Sequence, residues 1–425
     1  MSEVREGYKM TELGEIPSEW EVKTTGELFE NVSKKGFETL PVLSVTQDNG
    51  VVYRDDLDIN IKYDKKSLKT YKLIESGQFV ISLRSFQGGI EYSKITGISS
   101  PAYTILQPLE GVDTDYFRHL FKSFWFIDKL KGSIVGIRDG KQISYNDFKV
   151  IKLLLPTLKE QQKIASILST VDEQIYETEQ LIVKTKELKK GLMQQLLTKG
   201  IGHTEFKQTE LGEIPADWQV KSIKEVFALI SGYAFKSKLF KSEPEQETLQ
   251  VIKMGNVKQG KLDLTKNKAF ISINDILEPQ NKYKLQNEDI VISLTGTVGK
   301  RDYGNVAFIE RDNVLVVNQR VGCLRKDKEK IDSRYYFYFL QTELFRMSFF
   351  EIGVGGTGNQ SNVSLVDVGE VKIPFPNLKE QQKIAQILST VDEQIEVYEE
   401  EKVKYEELKK GLMQQLLTGQ IRVKI

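Results

Sequence analysis

Apolar residues recur every three or four positions through two long stretches of the chain. In the first, Ile164, Leu168, Val171, Ile175, Thr178, Ile182, Thr185, Leu188, Leu192 and Leu196 form one stripe; in the second, Ile384, Leu388, Val391, Ile395, Leu408, Leu412 and Leu416 do. A stripe sustained at that spacing for about five heptads is a coiled-coil seam, and it predicts helices over 158–198 and 378–418. Pro156, Pro374 and Pro376 precede the two starts. Thr157 and Asn377 stand at the cap positions, with Glu160 and Glu380 three residues on, the spacing of a capping box. The glycines of 199–208 stop the first helix, and Gly419 stops the second. The middle of the second stripe differs, with Tyr398 and Tyr405 in place of threonines and Lys402 in place of Ile182. Large side chains facing small ones fill a layer without voids. An antiparallel pair is therefore predicted, its tyrosines lying over Thr178, Leu181, Ile182 and Thr185.

Elsewhere the pattern is that of short strands. The runs 79–85 and 290–296 are apolar, rich in β-branched residues and open into polar loops; 102–106, 257–264 and 321–326 are further strand candidates. Runs 150–155 and 371–375 read as buried strands leading into the long helices, and 113–123 and 332–343 as short aromatic helices.

The chain also repeats itself. LKEQQKIASILSTVDEQI begins at Leu158 and LKEQQKIAQILSTVDEQI at Leu378; TELGEIPSEWEVK begins at Thr11 and TELGEIPADWQVK at Thr209. The residues between these phrases differ widely, so the frame is kept and the filling varies. The organisation predicted is one domain at 1–157, a long helix at 158–200, a second domain at 201–377 and a long helix with its tail at 378–425. The fold class is α+β: two similar strand-rich domains joined by two long helices in an antiparallel coiled coil, with pseudo-two-fold symmetry. Each tryptophan of the repeated lead-in, Trp20 and Trp218, is expected to pack on its own domain.

Composition narrows the function. The 425 residues carry 60 Lys+Arg against 60 Asp+Glu, so bulk positive charge does not drive binding to a polyanion. One cysteine, Cys323, excludes an internal disulfide and fits a reducing, cytoplasmic setting. No run of about 18 apolar residues exists, and the first residues lack the apolar stretch of a signal peptide. Two histidines, no phosphate-loop motif, no G-x-S-x-G and no Pro-Pro pair leave no set of residues for metal, nucleotide, acyl-transfer or adenine-methylating chemistry. What remain are glycine-containing loops with basic and amide side chains: Arg84, Arg138, Lys141 and Gln142 in the first half; Lys300, Arg301, Asn359, Gln360 and Asn362 in the second. Arginine and lysine suit guanine edges and phosphates, and amides suit adenine edges. At the repeated KKGLMQQLLT helix ends, Met193, Leu197, Met413 and Leu417 are expected to lie off the seam and exposed. With Lys189 and Lys409 they make a candidate partner surface present twice.

The two LKEQQ helices, the ELGEIP–Trp lead-ins and the KKGLMQQLLT ends together resemble the specificity subunit of type I restriction–modification systems. The resemblance runs along the whole chain, is strongest at the helices and weakest in the variable halves. It implies a non-catalytic subunit in which each variable domain reads one half of a split sequence in double-stranded DNA. It also implies a helical spacer and two bound methyltransferase subunits that carry S-adenosylmethionine and modify adenine. Restriction and translocation subunits using ATP and magnesium would complete the complex, and this chain itself would hold no cofactor. It transfers no base-contacting residue. Two other readings remain from the residues alone: a methyltransferase fused to its own reader, which the missing motifs oppose, and a module whose variable halves bind peptides.

Overall fold

The computed structural model describes residues 4–47, 49–57, 65–83, 85–132, 143–326, 331–353 and 360–425. The chain divides into two compact units, one of residues 1–180 with 399–425 and one of residues 181–398. The framing helices are α1 (Thr114–Leu120), α2 (Phe124–Gly132), α3 (Leu158–Lys199), α4 (Ser333–Phe339) and α5 (Leu378–Leu416). The two long helices start where the capping residues predict them. Each contributes to both units, its first half to one and its second half to the other.

In the first unit, strands β1 (Phe29–Val32), β2 (Phe79–Ile81), β3 (Glu91–Tyr92) and β4 (Thr104–Pro108) form an antiparallel sheet in the order β1-β4-β2-β3. In the second, β5 (Phe227–Ser231), β6 (Ile290–Ser293), β7 (Val306–Phe308) and β8 (Val321–Lys326) form a sheet in the equivalent order β5-β8-β6-β7, again antiparallel throughout. β2 and β6 are fully buried, as their apolar residues require, and the one polar residue, Ser293, accepts from the Asn305 amide at 3.1 Å. A two-stranded ladder leads into each long helix: Glu21–Thr24 with Lys152–Leu155, and Gln219–Ser222 with Lys372–Phe375. The units diverge beyond this shared plan. The second adds a sheet of Thr248–Ile252 between Phe270–Ser272 and Leu315–Val317, whereas the first has two hairpin-like pairs.

Ion pairs link the long helices inside each unit. In the first, Lys409 meets Asp172 at 2.6 Å and Lys402 meets Glu179 at 2.8 Å, so seven residues up α3 correspond to seven down α5. In the second, Lys189 meets Asp392 at 2.5 Å, the repeat counterpart of the Lys409–Asp172 pair. Antiparallel packing thus appears in the first unit, and the second holds the repeat-equivalent pair. Two equivalent seam positions are corrected: Leu188 is 56% exposed and Leu408 49%, and the next residue of each helix, Lys189 or Lys409, takes the inward place, its ammonium neutralised by Asp392 or Asp172. Leu181 is also exposed and does not fill the layer expected beneath the tyrosines. No helix among the described residues is long and apolar enough to cross a membrane.

Candidate nucleic-acid interface and the joints that hold it

The repeated phrases meet each other. Trp20 is fully buried and donates its indole N–H to Glu160 Oε2 at 2.9 Å. Glu160 is itself buried, and its Oε1 accepts from Arg422 Nε at 2.9 Å and Nη2 at 2.8 Å. In the second unit Trp218 donates to Glu380 Oε2 at 3.0 Å, while Glu380 Oε1 accepts from the Ile201 amide at 3.0 Å and from His203 Nε2 at 2.7 Å. The forward half of the expected capping box forms, with the Glu160 amide 3.4 Å from Thr157 Oγ1 and the Glu380 amide 3.1 Å from Asn377 Oδ1. Both glutamates then turn to the tryptophans. A buried carboxylate needs charged or N–H partners on each oxygen, and here both have them.

The next residue of the phrase makes the second bond of the joint. Gln161 accepts from the Asp113 amide at 2.9 Å and donates to the Gly111 and Pro156 carbonyls; Asp113 then caps α1 through the Tyr116 amide at 2.8 Å. Gln381 accepts from the Asp332 amide at 2.9 Å, and Asp332 caps α4 through the Tyr335 amide at 3.0 Å. A third contact ties the same short helices to the long ones. His119 sits 3.3 Å from Ser169 Oγ and 3.8 Å from Asp172, whereas its counterpart Tyr338 donates to Asp392 at 2.8 Å. His203, Asp217 and Glu380 have a spacing that a cation could bridge, yet every Glu380 oxygen already accepts a hydrogen bond.

Burial lowers the His119 pKa to about 4; Arg118 and Lys409 push the same way, against Asp172 and Asp115. Its folded value lies below its unfolded one near 6.5, so the unfolded chain binds the extra proton between these values. The first unit is expected to lose up to about 3 kcal/mol as pH falls from about 6.5 to about 4. Comparing urea midpoints of wild type and His119→Gln at pH 7 and pH 5 checks this; the acid loss should shrink in the variant.

The partner residues predicted at the helix ends need correction. Leu197 and Leu417 are each 1% exposed. Leu197 packs in the core with Ile214 and Trp218, and Leu417 in the core with Ile16 and Trp20. The helix ends are covered by the units they support, so those leucines are core. Met193 and Met413 are partly buried against the same clusters, and Lys189 and Lys409 are held by Asp392 and Asp172. In the first unit an open groove of about 820 Å³ remains between α2 and the last turns of α5, lined by Lys122, Trp125, Lys129, Lys410 and Met413. Phe124 beside it is 80% exposed.

Of the predicted reading residues, Arg84, Arg138, Lys141, Gln142 and Asn359 lie outside the described residues. The others gather in the second unit. Thr295–Thr297, just past the end of β6, pairs with Gln360–Asn362, placing Gln360 opposite Thr297 and exposed Asn362 opposite Thr295. Lys300 and Arg301 follow on the same loop, both exposed, with the Arg301 guanidinium 5.1 Å from the Phe350 ring. Sequence reasoning passed over the adjoining turn Asn318–Arg320, although it shows the same amide and basic mixture between two apolar runs.

The architecture is a pair of strand-rich α+β units sharing two long helices that pack antiparallel, with polar loops at a sheet end of the second unit. Comparison with known proteins agrees. The type I restriction modification DNA specificity domain matches residues 17–187 and again 215–407, and the chain belongs to this family. It is 32% identical to the type I restriction enzyme MjaVIII specificity subunit of Methanocaldococcus jannaschii, over 99% of this chain and 97% of that one. It is 28% identical to the putative MjaX specificity subunit of the same organism, with the same coverage. Among solved structures, the type I restriction–modification S subunit from M. genitalium shares the fold, with a TM-score of 0.57 at 15% identity over 94% of this chain and 96% of that one. A chain from a study of type I system assembly and conformational transition gives 0.56 at 16% identity, over 96% and 99%. As a specificity subunit the chain is non-catalytic and serves DNA sequence recognition, with catalysis in partner subunits.

Proposed function

We propose that each unit reads one half of a bipartite target in double-stranded DNA, and that the helical pair sets the unread gap and docks two methyltransferase subunits. One observation carries this reading: the same Trp–Glu–Gln joint is built twice, beneath two domains that differ elsewhere. Mountings that share the Trp–Glu–Gln bonds under unlike readers suit a protein whose architecture is fixed while its target varies. The partners would bring S-adenosylmethionine for adenine methylation, and restriction subunits would bring ATP and magnesium. They would also supply the phosphate attraction that a neutral chain lacks. The groove beside α2, with Trp125, Lys129, Lys410 and Met413 among its walls, is the proposed docking place in the first unit.

The test is to purify the chain with its methyltransferase partner, treat random-sequence DNA and sequence the methylated adenines. A split motif with a constant gap is expected. Methylation without sequence preference contradicts the reading.

A further inference from the structure

We infer that the turn Asn318–Arg320 is a base-reading element of the second unit, with Arg320 set against a guanine edge and Gln319 beside it. This rests on the DNA-reading function proposed above. The turn joins Leu315–Val317 to β8, at the end of the sheet where β5 and β6 also finish.

Its backbone is held from several sides. The Gln319 amide donates to the Tyr233 carbonyl at 3.0 Å, the Asn318 amide to Ile252 at 3.0 Å and the Leu294 amide to the Arg320 carbonyl at 2.9 Å. Gly232 lies so close that a Cβ there would come within 2.0 Å of the Asn318 carbonyl oxygen, so only glycine fits. Arg320 has φ +73°, a left-handed conformation that an arginine adopts only when its surroundings impose it.

The side chains are unspent. Gln319 and Arg320 are exposed, and neither makes a side-chain hydrogen bond or ion pair among the described residues. The neighbouring Asn318 Oδ1 is buried without a partner. Elsewhere in the second unit, by contrast, Arg325 is locked on Asp289 and Arg334 pairs with Glu310. The Leu294 amide that holds Arg320 belongs to the residue preceding Thr295, opposite Asn362, so the turn adjoins the amide and basic cluster described above. A rigid backbone presenting a free guanidinium and a free carboxamide meets the geometric demand of major-groove readout, where arginine grips guanine O6 and N7 in a fork.

The experiment compares the methylated motifs produced by the complex of the full chain and its methyltransferase partner, carrying wild type, Arg320→Gly, Arg320→Ala or Gln319→Ala. Glycine keeps the left-handed backbone, so Arg320→Gly should melt no lower than wild type. Its motif should lose roughly 5- to 150-fold discrimination at one guanine of one half-site. Gln319→Ala should relax the adjacent position, and the other half-site and the gap should stay as they are. An unchanged motif in Arg320→Gly and Arg320→Ala overturns the inference while leaving the DNA-reading function standing. Equal relaxation of both half-sites, or a fall in melting temperature with total loss of binding in Arg320→Gly, assigns the turn a structural role and also overturns it. A wild-type complex without sequence preference overturns both.

Discussion

Replacing Trp20 by alanine is expected to destabilise the first unit by about 3–5 kcal/mol, since a fully buried indole leaves a large cavity. The loss has a second part. Glu160 would keep Arg422 on one oxygen and lose the indole donor on the other. Trp20→Phe narrows the loss: it keeps an aromatic ring, gives up the indole N–H and part of the ring volume, leaves Thr157 Oγ1 3.3 Å from Glu160 Oε2, and should cost about 1–3 kcal/mol. Trp218→Ala should do the same to the second unit, where His203 and the Ile201 amide occupy the place of Arg422. Hydrogen exchange of the α1 and α4 amides gives the measurement. Trp20→Ala should speed exchange in α1 and spare α4, and Trp218→Ala should do the reverse. Equal effects on both helices, or losses below about 1 kcal/mol, would remove the joint from the account.

The long helices were legible because their 3.6-residue periodicity is a local property, and their caps lie within four residues of one another. The strands were legible as apolar runs, while their pairing was not: β1 and β4 are joined across more than seventy residues by contacts that leave no local mark. The joint was hidden for the same reason. Trp20 and Glu160 stand 140 residues apart, and Glu160 alone looks like a capping residue. The helix ends were not legible because periodicity describes an isolated pair; Leu197 and Leu417 do lie off the seam, but the domain cores cover them instead of leaving them exposed. Leu188 and Leu408 are exposed because the neighbouring lysines take the inward place, which a period of apolar residues does not show and which Asp392 and Asp172 make tolerable. The Asn318–Arg320 turn was missed because three polar residues between strands look like any hairpin connection. Only the crowded Gly232 and the left-handed Arg320 set it apart.

Lengthening the helices is expected to change what the protein recognises more than any single substitution. α3 has 42 residues, about 63 Å at 1.5 Å each. Seven residues inserted at matched central points of α3 and α5 keep the seam in phase and add about 10 Å, roughly three base pairs of DNA. The joints at Trp20–Glu160 and Trp218–Glu380 are untouched by the insertion, so each unit should keep its own preference. The measurement is the methylated motif of the insertion variant in complex with its methyltransferase partner. The account predicts both half-sites unchanged and a gap longer by about three base pairs. An unaltered gap, or half-sites of new sequence, would contradict it.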